Sequence, residues 1–303
     1  MAYDLKDKLV IGISSRALFD LEKENSIFET EGVSAYKRFQ RDNENIGLKP
    51  GTAFPLVKAL LKLNKVQDEC LVEVVVMSKN TPDTGLRIMN SVEDYGLNIT
   101  RAAFSGGESL SPYLDAFEVD LFLSKSEEDV QRAIDSGKAA AFLYQPPEQF
   151  EQVDDVIRIA FDGDAVLFSE ESERIYQQEG LEAFLKHERE NQNKNLPEGP
   201  FAKLLKMLSY VQKKCPFESR PVRIAIVTAR SAPAHARVIK TLRDWDVDVD
   251  NAFFLGGVSK DNVLKAFGAC IYFDDQDIHL AGASRLVPSA KVPYKSDTEP
   301  LES

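Results

Sequence analysis

The chain has 303 residues, 43% hydrophobic and 28% charged, which is enough for one large core or two ordinary ones in globular proportions. Its formal net charge of −12 argues against a nucleic-acid partner, whose surface would need clustered Lys and Arg. No run has the length of a membrane span, the start lacks signal-peptide character, and Cys70, Cys215 and Cys270 form no metal spacing, so a reduced, cytoplasmic protein without a membrane partner is expected.

The first predicted strand covers 9–13 and is followed by Ser14-Ser15-Arg16. Residues 28–45 carry Phe28, Val33, Tyr36 and Phe39 at helical spacing on a charged background and read as amphipathic helix. A loop over 47–55 leads to helix 56–63. A strand over 72–77 ends in Ser78-Lys79-Asn80, helix 83–94 follows, and strand 102–104 precedes Ser105-Gly106-Gly107. Strand 121–123 ends in Ser124-Lys125, and a further helix and strand run through 139–143.

The second half opens on Ile157-Arg158-Ile159-Ala160-Phe161, an apolar run that stops at Asp162-Gly163-Asp164, and a new apolar run follows over 165–168. A buried parallel strand reads as such a run, and its carboxyl end is where open α/β sheets place ligands. Two carboxylates flanking one glycine there repel each other unless a cation or proton lies between them, and Mg2+ prefers oxygen ligands and accompanies phosphates. The same tripeptide also suits an Asx-type turn between two strands. Downstream, strand 223–227 ends in Thr228-Ala229-Arg230, Gly256-Gly257-Val258-Ser259-Lys260 precedes a helix, and strand 270–273 ends in Asp274-Asp275. The stretch of about 170–219 is too long for a simple crossover and carries predicted helices over 170–187 and 201–213.

Asp-x-Asp, Thr, Lys and Asp-Asp, in that order on those elements, resemble the four motifs of the haloacid dehalogenase-like phosphohydrolase superfamily. The wording around them is closer still to one family. Phe161-Asp162-Gly163-Asp164-Ala165-Val166-Leu167-Phe168, Val227-Thr228-Ala229-Arg230-Ser231 and Phe273-Asp274-Asp275-Gln276 resemble the type I cytosolic 5′-nucleotidases. So do Ser14-Ser15-Arg16-Ala17-Leu18-Phe19-Asp20 and Pro50-Gly51-Thr52-Ala53-Phe54-Pro55, and the resemblance runs from about residue 8 to about 290.

The two halves also resemble each other. A shift of 150 lays 74–125 on 224–275 with ten identities in fifty-two positions, where composition alone gives roughly three. It sets Ser78 on Thr228, Gly106-Gly107 on Gly256-Gly257 and Ser124-Lys125 on Asp274-Asp275. A shift of 148 sets Gly32 on Gly180, Gly51 on Gly199 and Arg16 on Asp164. The expected fold is therefore α/β, with two homologous Rossmann-like lobes of haloacid dehalogenase type. Residues 1–150 form a degenerate lobe that recognises substrate or effector, or shields the site. Residues 151–303 form the catalytic lobe, with a helical cap insertion over about 170–219.

By the resemblance, Asp162 is a nucleophile that forms an aspartyl-phosphate, and Asp164 protonates the leaving ribose oxygen and then activates water. Mg2+ would lie on Asp162, Asp274 and the main-chain carbonyl of Asp164, with Asp275 sharing that duty or orienting the metal's waters. The Thr228 hydroxyl and the Gly163 and Ala229 backbone N–H groups would hold phosphate, and Lys260 would offset its charge. Arg16, Ser78 and Asn80, together with Arg230, are the candidate substrate or effector contacts, and Arg230 either reaches phosphate or pairs with an acid. Phe19, Phe54 and Tyr113 are candidate base-stacking rings. Trp245, His187, His235 and His279 read as structural, and Cys215 as the cysteine most open to solvent. The activity implied is Mg2+-dependent hydrolysis of nucleoside 5′-monophosphates, AMP first, in a cytoplasmic enzyme with a nucleotide effector and room for a homo-oligomer. The rivals are a related phosphatase acting on another small phosphoester and a non-catalytic nucleotide-binding regulator.

Overall fold

In the computed structural model, which describes residues 4–65, 70–147, 156–215 and 220–296, the apolar runs become parallel strands in two compact units, Met1–Leu143 and Tyr144–Ser303. The expected lobe boundary after residue 150 and the polar tail beyond 296 lie outside the described residues.

In the first unit, β1 (Leu9–Ile13) pairs on one side with β2 (Val72–Ser78) and on the other with β4 (Leu121–Ser124). Next to β2 lies β3 (Arg101–Phe104), and next to β4 lies β5 (Ala139–Leu143), so the all-parallel order is β3-β2-β1-β4-β5. Every residue of β1 and β2 is buried, which explains why these strands read as continuous apolar runs rather than alternating ones. Before β2 come α1 (Glu22–Glu31), α2 (Val33–Asp42) and α3 (Phe54–Lys62). The later crossovers are α4 (Pro82–Asp94), α5 (Ser111–Ala116) and α6 (Glu127–Asp135). Thr81 and Thr84 close a capping box at the start of α4, which stops β2 and its polar tail cleanly before the helix.

The second unit repeats that plan. Its strands are β6 (Ile157–Phe161), β7 (Val222–Thr228), β8 (Asn251–Phe254), β9 (Ile271–Asp274) and β10 (Ser289–Lys291). They pair in parallel in the order β8-β7-β6-β9-β10. Helices α7 (Glu171–Glu190) and α8 (Ala202–Lys213) lie between β6 and β7. The crossovers after β7 are α9 (His235–Asp244), α10 (Asp261–Phe267) and α11 (Asp277–Ala283). In each unit the chain moves from the central strand to one side and then returns to the other, which makes the switch point where such sheets bind ligands.

Two glycines show how closely the plans agree. Gly32, between α1 and α2, has φ 82° and ψ 179°; Gly180, which bends α7, has φ 83° and ψ −178°. This left-handed backbone is costly for any residue with a side chain. Helix α7 therefore has a structural counterpart in α1 and α2 of the first unit.

The alternative of a turn between two strands is not what forms at Asp162-Gly163-Asp164. The apolar run over 165–168 is not a strand: Gly163–Leu167 form a tight turn, with Asp164 extended (φ −73°, ψ 143°) and Ala165 left-handed at φ 60°. Val166, Leu167 and Phe168 are fully buried, and only Phe168, just after the turn, makes a β contact, a single antiparallel bridge to Glu198. Among the described residues no helix is long and apolar enough to cross a membrane.

Candidate active site

Three strand ends of the second unit carry the polar residues. Asp162 follows β6, Thr228 ends β7 and Asp274 ends β9. Directly behind Asp162 and Asp274, Phe161 and Phe273 stack with ring centroids 5.4 Å apart, and Phe201 packs 5.1 Å from Phe273. Asp162 and Asp274 are themselves buried, where an uncompensated charge is costly.

Lys260, at the start of α10, supplies the compensation. Its buried Nζ lies 3.0 Å from Asp162 Oδ1 and 2.8 Å from Asp274 Oδ2. Burial opposes the ammonium charge, yet the two carboxylates hold its proton affinity well above the ordinary lysine range. Burial pushes the Asp162 carboxyl up to about 7, against the pull of Lys260 and with repulsion from Asp274 and Asp164 adding to it. Burial also works against ionised Asp274, but Lys260 and His279 hold it down to about 2.

Asp274 is the most heavily tied of these acids. Besides Lys260 it accepts from the Tyr272 hydroxyl, from the Gln276 backbone N–H at 2.8 Å, and meets His279 Nδ1 at 3.2 Å. Asp275 is buried as well, and burial with repulsion from Asp274 and Asp162 raises its carboxyl well above the usual range. The Tyr294 hydroxyl donates to its Oδ2, while its Oδ1 has no partner. Ligand atoms of Asp162, Asp274 and His279 lie within 4.8 Å of one another, close enough for one ion.

Asp164 lies apart from Lys260 and is gripped by Arg230. The guanidinium donates from Nε to Oδ2 at 2.8 Å and from Nη2 to Oδ1 at 2.6 Å, a bidentate fork. Its third nitrogen, Nη1, donates to Glu188 of α7 at 2.6 Å. Glu188 also accepts from Arg237 at 2.9 Å and from Ser172 at 2.8 Å, and Phe184 lies under the guanidinium at 5.5 Å. Of the two roles open to Arg230, the structure places it on the acid.

The remaining expected phosphate contacts lie around the same turn. Thr228 is buried, and its Oγ1 accepts from the Arg230 backbone N–H at 3.2 Å. Gly163 is buried directly against Thr228, and Ala229 is exposed at the end of β7.

The first-unit candidates come together around a different space. Arg16, Ser78 and Asn80 line a cavity of about 570 Å³ with Lys79 and Lys125. Arg16 pairs with Glu22 at 3.0 Å, Ser78 Oγ is 3.0 Å from Ser15 Oγ, and Asn80 accepts from the Tyr36 hydroxyl at 3.0 Å. Phe19 and Phe54 do not serve as stacking platforms. Both are buried and pack on each other and on Tyr95, because each follows an apolar neighbour into the core. Tyr113 is partly exposed, and Trp245 packs on Phe168 at 5.5 Å, as a structural ring would. Cys215 is also buried, contrary to expectation, because the end of α8 tucks it inward.

His279, Tyr272, Tyr294, Glu188 and Arg237 reach the site without having been singled out for it. Only His279 left a trace in the sequence: it lies five residues after Asp274, on the first turn of α11, the helix that follows the last motif.

The chain matches the 5′-nucleotidase family over residues 1–299. It is 39% identical over 292 residues to human cytosolic 5′-nucleotidase 1B, covering 93% of this chain and 48% of that protein. The chain thus spans about half the length of that curated relative. A universal stress protein structure from Pseudomonas aeruginosa UCBPP-PA14 aligns over 95% of this chain and 93% of its own, with 8% identity and a TM-score of only 0.35. The family match and the level of identity agree with the motif resemblance: the chain belongs to the 5′-nucleotidase family.

Proposed function

We propose that the second unit hydrolyses nucleoside 5′-monophosphates, AMP foremost, to nucleoside and phosphate in the cytoplasm. The observation that carries this reading is Lys260 held between the buried carboxylates of Asp162 and Asp274 at a sheet switch point, in a chain of this family. The donor set suits a hard divalent cation, because it is rich in buried carboxylate oxygens and includes one oxygen of Asp275 with no partner. Asp162 and Asp274, assisted by Asp275 and the main-chain carbonyl of Asp164, would hold Mg2+, while His279 would orient Asp274 rather than bind, since Mg2+ disfavours nitrogen donors. When bound, the cation supplies charge neutralisation to the phosphoryl oxygens and lets Asp162 ionise at neutral pH.

The chain's own residues then divide the work. An Asp162 oxygen attacks phosphorus; the bond from phosphorus to the ribose 5′ oxygen breaks, and that oxygen takes the proton carried by Asp164. A water molecule then attacks the phosphorus of the aspartyl-phosphate, Asp164 takes its proton, and the bond to Asp162 breaks to release phosphate. Thr228 and the backbone of Gly163 and Ala229 hold the transferred group, and Lys260 offsets its charge. Arg230 keeps Asp164 in place, and one arm of its fork must release a carboxylate oxygen before that oxygen can carry the proton. The α7 segment with Glu188 is read as the cap, and the repeated strand order supports descent of both units from one duplicated lobe. The test is phosphate release from AMP, IMP, deoxynucleotides and sugar phosphates, with Mg2+ and with EDTA. Mg2+-dependent release from nucleotides is expected. Release from sugar phosphates alone would overturn the substrate class.

A further inference from the structure

The cavity of the first unit occupies the place of the second unit's site. It opens at the carboxyl ends of β1, β2 and β4, the strands that correspond to β6, β7 and β9. Its surroundings repeat in detail. Phe28 and Tyr36 meet edge to face at 5.9 Å and 81°, as Tyr176 and Phe184 do at 6.2 Å and 82° in the other unit. Arg87 is pinned by Glu24 at 2.9 Å and Gln40 at 3.0 Å, as Arg237 is pinned by Glu188. A unit kept only as a shield would be expected to fill such a space, because protein interiors close-pack and rarely keep voids larger than water. About 570 Å³ is instead held open, within the range of about 300–1,000 Å³ usual for small-ligand sites.

The floor has been exchanged rather than erased. Ser14 stands for Asp162, Ser124 for Asp274, Arg16 for Asp164 and Lys125 for Asp275. The lining now carries four cations, Arg16, Lys37, Lys79 and Lys125, against the acids Glu24 and Asp129; Glu24 pairs with Arg87 and Asp129 with Lys79 at 2.6 Å, while Arg16 and Lys125 share the one carboxylate of Glu22. A metal cation has lost its ligands here, whereas an anion has gained partners. Two buried donors wait for acceptors: Arg16 Nε and Asn80 Nδ2 have no hydrogen-bond partner. With the Ser15, Ser78 and Ser124 hydroxyls at the strand ends, they suit an oxyanion with several acceptor oxygens. The lining also includes Leu21, Phe28, Val33, Tyr36 and Leu110, apolar and aromatic side chains that suit a flat ring system.

We infer that this cavity is a second ligand site, which binds a nucleoside phosphate directly, without a metal ion. The phosphate end rests on the lining alone; the nucleoside end also rests on the function proposed above. The test is equilibrium binding of AMP, adenosine and inorganic phosphate to the full chain in EDTA. Wild type should bind about one AMP per chain, and adenosine or phosphate each at least about tenfold more weakly, since neither fills both ends. Arg16→Ala, whose side chain is 32% exposed and so tolerates truncation, should weaken AMP binding about tenfold or more, and so should Lys79→Ala, which also strips the buried Asp129 carboxylate of its ion pair. Asp274→Asn should leave it unchanged. No binding in EDTA, or binding lost in Asp274→Asn and kept in Arg16→Ala, would overturn the inference. Nucleotide hydrolysis without binding in EDTA would sink this site alone. Binding in EDTA without hydrolysis of any nucleotide would sink the proposed activity and leave the site standing.

Discussion

Arg230 grips both carboxylate oxygens of Asp164, at 2.8 and 2.6 Å, and turns its remaining nitrogen to Glu188 on α7. The residue proposed to move protons is therefore tied, through one guanidinium, to the helix proposed to cover the site. Glu188 and Arg230 are both buried, so neither charge can be left alone cheaply.

Removing Arg230 should therefore damage stability and turnover together. Arg230→Ala leaves Glu188 with Arg237 as its remaining cation and frees Asp164, at an expected cost of about 3–5 kcal/mol of folding stability. Arg230→Lys keeps the charge and loses the fork. It should cost less stability and still lower kcat about 10²-fold, the scale of a misplaced proton-transfer group. Thermal unfolding and steady-state kinetics on both variants check this. Full activity in Arg230→Lys would show that the fork does not position Asp164.

Lys260 gives the complementary prediction. Lys260→Met leaves Asp162 and Asp274 buried without their shared cation, so the metal-free variant should unfold well below wild type. Turnover should drop about 10²–10³-fold, as when one oxyanion-stabilising donor is lost. Added Mg2+ should raise the unfolding temperature of the variant by more than that of wild type, because the ion takes over the missing neutralisation. Equal shifts in the two proteins would contradict the placement of the ion beside Lys260.

Asp162 also makes metal-free stability depend on pH. Its carboxyl is raised to about 7 in the folded chain from an ordinary 3.8, so the folded state holds the proton more tightly than the unfolded state. That contribution is complete below about pH 4 and is lost as pH rises through about 7. Asp274, held at about 2, stays ionised across the window and does not mask it. In EDTA, the unfolding temperature of Asp162→Asn relative to wild type should climb by several degrees between pH 5 and pH 8, on the scale of about 1 kcal/mol or more. A difference that stays flat with pH would refute the buried, proton-binding carboxyl.

Much of the fold and part of the candidate site are legible in the sequence. Asp162, Thr228, Lys260 and Asp274 stand at strand ends or at a helix start, so linear order alone places them on one edge of a parallel sheet. Gly32 and Gly180 aligned in the repeat because a left-handed backbone leaves a glycine in the sequence. Glu188, Arg237 and Tyr294 could not be read this way. Glu188 is one of many acids on a charged helix, and nothing local distinguishes a solvated glutamate from one fully buried under two arginines. Tyr294 reaches Asp275 only because β10 turns the chain back to the site. The form of the turn over 163–167 was not legible for a similar reason. An apolar run advertises burial, and only the left-handed Ala165 shows that burial is achieved by a turn.

Whether Asp162 carries the phosphoryl group is tested by an acid-quenched single turnover with AMP radiolabelled in its phosphate. With Mg2+, wild type should yield a hydroxylamine-sensitive label on the peptide that contains Asp162, and the label should be absent in Asp162→Asn and in EDTA. Continued hydrolysis by Asp162→Asn, or wild-type turnover with no label on that peptide at any quench time, would contradict the account.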